Sequence, residues 1–375
     1  MPRRRRILRA AGAAGLAGLA GCAETLRVET EGGVATPSEA RDTPPRETAS
    51  GSDPTSDFGE VATEVYRDTI PSVATILLYD AGGRAGSGSG FVTRVNGRRV
   101  VVTNQHVVDP GSRFQIQFHR NEWRSAEVVG TDAYSDLAIL APESFPEFAE
   151  PLDMVRTDPE PPVGTDVLAI GSPFGLGGSA SSGVISGVDR LLPAPNEFLI
   201  ADAVQTDAAL NPGNSGGPLV TDDGRVAAVV NSAGAENIGF GISAELSKRV
   251  LPALADDGSY RHSFMGVRLT EVTPSIAQAY DLDEVAGIVV VDVLDGGPSD
   301  GALQPADGTT EVGGVEVETG GDVIRRLNDT RVETQAALSK YLALETSPGD
   351  ELDVTVLRDG SRVTETITLG TRPQP

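Results

Sequence analysis

LNPGNSGGPLV, residues 210–220, sets Ser215 among Pro212, Gly213, Asn214, Gly216 and Gly217. Glycines serve where backbone takes unusual dihedrals or comes close to another group, so this turn presents one hydroxyl with open space around it. A serine hydroxyl is a weak nucleophile until a base removes its proton. Three histidines are available, His106, His119 and His262. His106 ends an apolar strand in VVTNQHVV, where packing holds an imidazole in one orientation, as a general base requires. His119 falls at a hairpin end in QFHRNEW, and His262 in a junction, SYRHSF. The base also needs a carboxylate on its far nitrogen to fix its tautomer. Asp136 in DAYSDLAIL precedes an apolar strand that draws it inward, and Asp132, four residues earlier, competes for that place. The chemistry implied is acyl transfer through Ser215. No metal site is expected, because three scattered histidines and one cysteine make no ligand cluster, and no cofactor is expected.

The elements that must position these residues are short strands. From Ser72 to Pro142 the runs SVATILLY, GSGFVTR, RRVVVT, RFQIQFH, RSAEVVGTD and DLAILAP are β-rich and bounded by turn residues. After a Pro- and Glu-rich connection, DVLAIGSPFG, SSGVISGVDR, FLIADAVQTDA, GPLVTDDGRVAAVVNS and NIGFGIS form a second series. Two such series predict two small antiparallel β-barrels over residues 58–256, closed by a helix in AELSKRVLPALADD. Residues 260–372 read as a separate mixed domain, with strands, a helix over 334–344 and an extra hairpin within 304–319. The fold class is mainly β, with a C-terminal α+β domain.

The N-terminus reads as an address. MPRRRRILRAAGAAGLAGLAGCAE has four arginines before a weakly apolar stretch, too short for a spanning helix of ~20 residues and laid out like an export signal. Residues 1–22 fit a twin-arginine-type signal ending in a lipoprotein-like box, Leu19-Ala20-Gly21-Cys22. Cys22 is the one cysteine of the chain, which excludes an internal disulfide and makes it the candidate for lipidation. A lipid there would anchor the exported protein on the outer face of the cell membrane. Residues 23–57, rich in Thr, Ser, Pro, Glu and Gly, cannot bury enough surface to fold and read as a disordered tether. The formal net charge is −24, with 54 acidic against 30 basic residues. Such a surface repels nucleic acid, and with only two lysines, Lys248 and Lys340, it has the character of a halophile's protein, whose charge needs salt to screen it.

The stretches GSGSGFV (86–92), VVTNQHVV (101–108), SDLAIL (135–140), AIGSPFGLGGSASSGVISG (169–187), VQTDAALNPGNSGGPLV (204–220) and NIGFGIS (237–243) together resemble the HtrA/Deg family of serine proteases. The resemblance covers about residues 60–370 and implies a chymotrypsin-like double barrel followed by one PDZ domain. It implies His106 as general base, Asp136 as its orienter and Ser215 as nucleophile, the chain order seen in chymotrypsin-like enzymes. The amides of Gly213, Asn214 and Ser215 would form the oxyanion hole. Ala209 with Asn231, Ser232 and Ala233 would line a specificity pocket without a carboxylate, suited to small or medium apolar side chains. Phe264, Met265, Gly266 and Val267 match the PDZ loop that holds a peptide's terminal carboxylate. The implied activity is endopeptidase cleavage of misfolded exported proteins, by a homotrimer. A chaperone or PDZ scaffold with little turnover is the alternative. An esterase is disfavoured, because the strand pattern lacks a hydrolase elbow.

Overall fold

The computed structural model describes residues 55–374 apart from 110, 157–159, 173–177, 194–198 and 236. The predicted signal, Cys22 and nearly all of the tether lie outside the described residues. A helix, α1 (Thr55–Thr69), leads into the first barrel. Its strands are β1 (Val73–Asp80), β2 (Gly83–Val95), β3 (Arg98–Thr103), β4 (Arg113–Phe118), β5 (Glu122–Asp132) and β6 (Leu137–Pro142), with a single helical turn, α2 (Gln105–Val108), after β3. They close in the order β1-β2-β3-β6-β5-β4. The second barrel has β7 (Asp166–Gly171), β8 (Ser179–Pro193), β9 (Leu199–Thr206), β10 (Pro218–Thr221), β11 (Val226–Ala235) and β12 (Ile238–Ser243). It closes as β10-β11-β12-β9-β8-β7.

Both faces of many strands are buried, which explains why their sequences read as apolar runs with no polar alternation. Successive side chains point to opposite faces, so neighbours enter different cores. Val101 and Val92 fill the first barrel with Ile76, Ile116 and Leu140. Val102 and Phe91 point the other way, into the core between the barrels, with Leu137, Ile139, Leu168 and Ile170. Val167 and Ala169 fill the second barrel with Leu219 and Val230. The helix α3 (Ala244–Asp257) then packs Leu246, Val250, Leu251 and Leu254 onto the inter-barrel core. Ser243 caps it, accepting from the Leu246 N–H at 3.0 Å.

The C-terminal domain starts with β13 (Ser263–Phe264), β14 (Val267–Glu271), α4 (Pro274–Ala279) and β15 (Ile288–Val293). A hairpin of β16 (Gly308–Val312) and β17 (Val315–Thr319) turns at Gly313 and Gly314, inside the insert predicted as a hairpin. There follow β18 (Val323–Leu327), β19 (Thr330–Arg331), α5 (Gln335–Glu345), β20 (Glu351–Arg358), β21 (Ser361–Thr368) and β22 (Gly370–Thr371). The main sheet runs β14-β15-β18-β20-β21, which leaves β14 as an edge, while β13 pairs with β22.

The helix α5 serves both domains. Leu338 lies in the C-terminal core, whereas Leu344 joins the inter-barrel core. The Lys340 ammonium reaches across to Asp189 (2.5 Å), Asp202 (2.8 Å) and Glu160 (3.5 Å) of the barrels. Arg249 adds a bond from Nη2 to the Thr346 carbonyl at 2.8 Å. Asp202 is fully buried and sits at φ 55°. Burial pushes the carboxyls of Asp202 and Glu160 up. Burial alone would lower the Lys340 pKa, but its bonds to Asp189 and Asp202 outweigh this and hold it well above its ordinary value. Three oxygens gathered this closely are the geometry of a cation site, and here the cation is the lysine itself.

Candidate active site

The site is assembled from both barrels. Asp136, at φ 53°, occupies the tight β5–β6 connection, a left-handed conformation that Asp tolerates better than most residues. Its carbonyl accepts from the Gln105 N–H and from Asn104 Nδ2, each at 3.1 Å. Its carboxylate, buried to 1% exposure, accepts three more bonds. Oδ1 takes the His106 N–H at 2.9 Å, and Oδ2 takes the His106 ring at Nδ1 (2.6 Å) and Asn231 Nδ2 (2.5 Å). With Nδ1–H committed to the carboxylate, the lone pair of His106 lies on Nε2, the tautomer a general base needs. His106 itself stands on α2, one turn beyond the strand end where the sequence pattern put it. That turn lets its backbone N–H and its ring grip the same carboxylate.

Asp132, the competing carboxylate, is engaged elsewhere. It binds His262 Nε2 at 2.8 Å and the Ser135 N–H at 2.9 Å, with the Ser135 hydroxyl as a further donor. His262 is packed edge-on between Tyr134 and Tyr260. Burial alone would raise the Asp132 carboxyl, but the bond and charge of His262 and the two Ser135 donors outweigh it and hold the carboxyl below its ordinary 3.8. A carboxylate depressed in the folded state contributes stability that is present above its unfolded pKa and lost as pH falls through its folded one. Thermal melts of wild type and Asp132→Asn between about pH 2.5 and 5 should therefore differ most at pH 5 and converge on acidification. A difference independent of pH over that window would contradict the assignment. His119 packs edge-on against Phe148 and takes no part in either pair.

Ser215 sits on a turn whose conformation depends on glycine at Gly213 (φ 99°) and Gly216 (φ 83°). A Cβ on Gly216 would lie 2.1 Å from Thr103 Oγ1 and 2.2 Å from the Ser89 carbonyl, so the first barrel presses directly on the turn. Ser89 in β2 is the clamp. Its N–H donates to the Ser215 carbonyl at 2.8 Å, and its hydroxyl donates to the Gly213 carbonyl at 2.6 Å and accepts the Ser172 N–H at 2.8 Å. Thr103 in turn donates to the Ser89 carbonyl at 2.7 Å. The N–H groups of Gly213 and Ser215 enter no hydrogen bond among the described residues, which leaves both open to an incoming acceptor. The Asn214 N–H, expected as a third donor, is instead spent on the Asn211 carbonyl at 3.0 Å.

The Ser215 hydroxyl donates to the Asn231 carbonyl at 2.8 Å, and no hydrogen bond joins it to His106. Asn231 therefore links the hydroxyl and the carboxylate: its carbonyl holds Ser215 and its amide holds Asp136. Bonds between nucleophile and base are often long or misaligned in unliganded enzymes and tighten around substrate.

Asn231 was expected as a wall of the specificity pocket, but its side chain is buried against Asp136, leaving its backbone for that purpose. Ser232 and Ala233 follow on β11, opposite Phe240 and Gly239, and Ala209 is exposed on the segment leading to the nucleophile turn. In the C-terminal domain Phe264 pairs with Gly370. Met265 is buried, Gly266 turns at φ 72°, and Val267 opens the edge strand β14. Ser89, Asn104 and the amide of Asn231 are the site residues that sequence reasoning missed. GSGSGFV carried Ser89, but only as part of a motif.

Comparison with known proteins agrees with this architecture. Residues 88–229 match the trypsin-like peptidase domain and residues 263–369 the PDZ domain. A probable periplasmic serine endoprotease, DegP-like, of Ectopseudomonas mendocina is 35% identical over 292 residues, 76% of this chain and 57% of that protein. The one of Halomonas elongata is 31% identical over 295 residues, 77% of this chain and 57% of its own length. The chain thus spans somewhat more than half the length of these curated relatives. Among solved structures, the HtrA-type protease AlgW with a tripeptide is 29% identical with a TM-score of 0.68, covering 84% of this chain and 98% of that one. The serine endoprotease from Yersinia pestis is 25% identical with a TM-score of 0.59, over 83% and 98%.

Proposed function

The chain belongs with the HtrA/Deg serine proteases, a trypsin-like peptidase domain followed by one PDZ domain, and on that premise we propose that it hydrolyses peptide bonds of unfolded exported proteins through an acyl-enzyme on Ser215. The observation that carries this reading is the 2.6 Å pair of His106 and Asp136, set across the barrel interface from a serine whose turn keeps two N–H groups free. His106 takes the Ser215 proton at Nε2 as the hydroxyl attacks the peptide carbonyl. Asp136 stabilises the imidazolium, and the Gly213 and Ser215 amides receive the oxyanion, each such donor worth ~3–4 kcal/mol in the transition state. His106 then protonates the leaving amine, and water repeats the sequence on the ester.

A pocket that has Ala209 and no carboxylate at that position would suit a small or medium apolar side chain. The PDZ domain would take a peptide's C-terminus in the loop of residues 264–267, with the peptide adding a strand to the free edge of β14. The relatives are named periplasmic, which points to export to the cell envelope. A lipid on Cys22, a homotrimer built through the protease domains and operation in concentrated salt complete the reading. The first of these rests on the sequence of the signal, the second on the family resemblance and the third on the charge of −24.

The test uses the full chain in molar and in dilute salt, treated with a fluorophosphonate and offered unfolded casein. The expected result is one labelled residue, located to Ser215 by peptide mass spectrometry, with loss of casein. A folded protein that takes no label in any salt, and that suppresses aggregation of a client, would replace the protease with the chaperone.

A further inference from the structure

A cavity of about 510 Å³ opens where β2, the β10–β11 turn, the connection between the barrels and α3 meet. None of its lining residues belongs to the catalytic site. Among the described residues four cationic side chains line it, Arg94, Arg156, Arg225 and Lys248, against one carboxylate, Asp153. In a chain with 54 acidic and 30 basic residues, a surface patch drawn at random would show the opposite balance. It also takes in one of the only two lysines in the sequence.

These charges are little neutralised by ion pairs among the described residues. Among the described residues Arg94, Arg156 and Lys248 have no carboxylate within ion-pair distance, and Arg225 has only Asp223, at 3.5 Å. The Lys248 ammonium donates to the Val155 carbonyl. Burial, together with the positive charges of Arg156 and Arg225, lowers its pKa, while Glu245 and Asp153 act in the other direction. The C-terminal domain offers a contrast. A second cavity, of about 350 Å³, also has four arginines, but Asp283 and Glu284 share its wall, and Glu284 pairs with both Arg325 and Arg331.

Cations held together without counter-charges repel one another, and the strongly negative field of the whole molecule discourages anions from approaching elsewhere. The first cavity is therefore the place where a multivalent anion gains most. Arginine forks match phosphate oxygens bidentately, and the volume falls within the range of small-molecule sites. Met154 and Leu251 supply apolar wall beside the charges. We propose that this cavity is a binding site for a phosphate-bearing anion, separate from the catalytic cleft and from the PDZ groove.

The test titrates the full chain with inorganic tripolyphosphate and with orthophosphate, at constant ionic strength set by sodium chloride. In parallel it is sedimented with vesicles of phosphatidylglycerol or of phosphatidylcholine. Arg156→Glu/Arg225→Glu reverses two exposed charges of the cavity, and Arg67→Glu/Arg84→Glu makes the same change of net charge elsewhere. Saturable binding of tripolyphosphate or orthophosphate, weakened at least tenfold in the first variant and unchanged in the second, identifies a free phosphate ligand. Binding only to phosphatidylglycerol vesicles with the same dependence identifies a lipid headgroup. Either result supports the site. Absence of saturable binding in the wild type by all probes, or equal loss in both variants, overturns it. Circular dichroism of each variant establishes that it is folded, and casein cleavage is expected to be unaffected by either.

Discussion

Ser215→Ala should lower the turnover of unfolded casein on the order of 10⁶-fold and abolish fluorophosphonate labelling. The magnitude follows from what the hydroxyl does: without it no acyl-enzyme forms, and His106 with its paired carboxylate has no proton to take. Any remaining rate would come from the oxyanion donors and substrate binding acting on water. The variant is structurally mild, because among the described residues the hydroxyl's one partner is the Asn231 carbonyl. Loss of that bond costs about 1 kcal/mol, and the turn is held by Ser89 and by backbone bonds of Gly216 and Gly217. Single-turnover cleavage assays, with thermal melting alongside, check both parts. Activity within tenfold of wild type would remove Ser215 from the mechanism.

Asp136→Asn should cost about 10⁴-fold in kcat with little change in KM. Asn also tolerates the left-handed conformation that Asp136 adopts at φ 53°, so the β5–β6 connection keeps its shape. What changes is the polarity of one buried group. The Asp136 carboxylate accepts from three N–H donors, two on His106 and one on Asn231, and an amide can no longer accept on both sides. If its NH₂ faces the ring, Nδ1 becomes the acceptor and the proton moves to Nε2, the nitrogen that must be bare. The same NH₂ then also opposes the Asn231 amide, which shares that oxygen position with the ring, and the opposite flip sets it against the backbone N–H of His106. The same substitution at Asp132 should leave kcat almost unchanged, because Asp132 holds His262 and Ser135. Equal kinetic losses in the two variants would reverse the assignment of the two aspartates.

How much of this was legible depended on the distance over which each signal acts. The turn around Ser215 and the apolar approach to His106 are local, and both stand in the site. The two barrels were readable because turn residues punctuate the strands, and the 304–319 hairpin because Gly313 and Gly314 mark its tip. The choice between Asp132 and Asp136 was not local. What separates them is which histidine each meets, and His262 reaches Asp132 across 130 residues. Ser89 reads as one serine in a glycine-rich strand, and its role appears only when the second barrel's turn is laid against it. The position of Asn231 in the chain points to a pocket wall, whereas its amide is drawn inward by a buried carboxylate. Sequence does not show which turn amides are committed to a carbonyl, and the Asn214 N–H is one that is. The bridge from α5 to the barrels was illegible altogether, since Lys340 meets residues up to 180 positions away.

That bridge also bears on the chemical reactivity of the chain. Lys248 and Lys340 are its only lysines, and their environments drive them in opposite directions. Lys248 gives up its proton more readily than an ordinary lysine, which favours its reaction with an acylating reagent. Lys340, enclosed by three carboxylates, is kept protonated and blocked from acylation for as long as α5 stays seated on the barrels. An amine-directed mass tag on Lys340 thus acts as a clock for separation of the two domains, with Lys248 as the internal standard against which it is read.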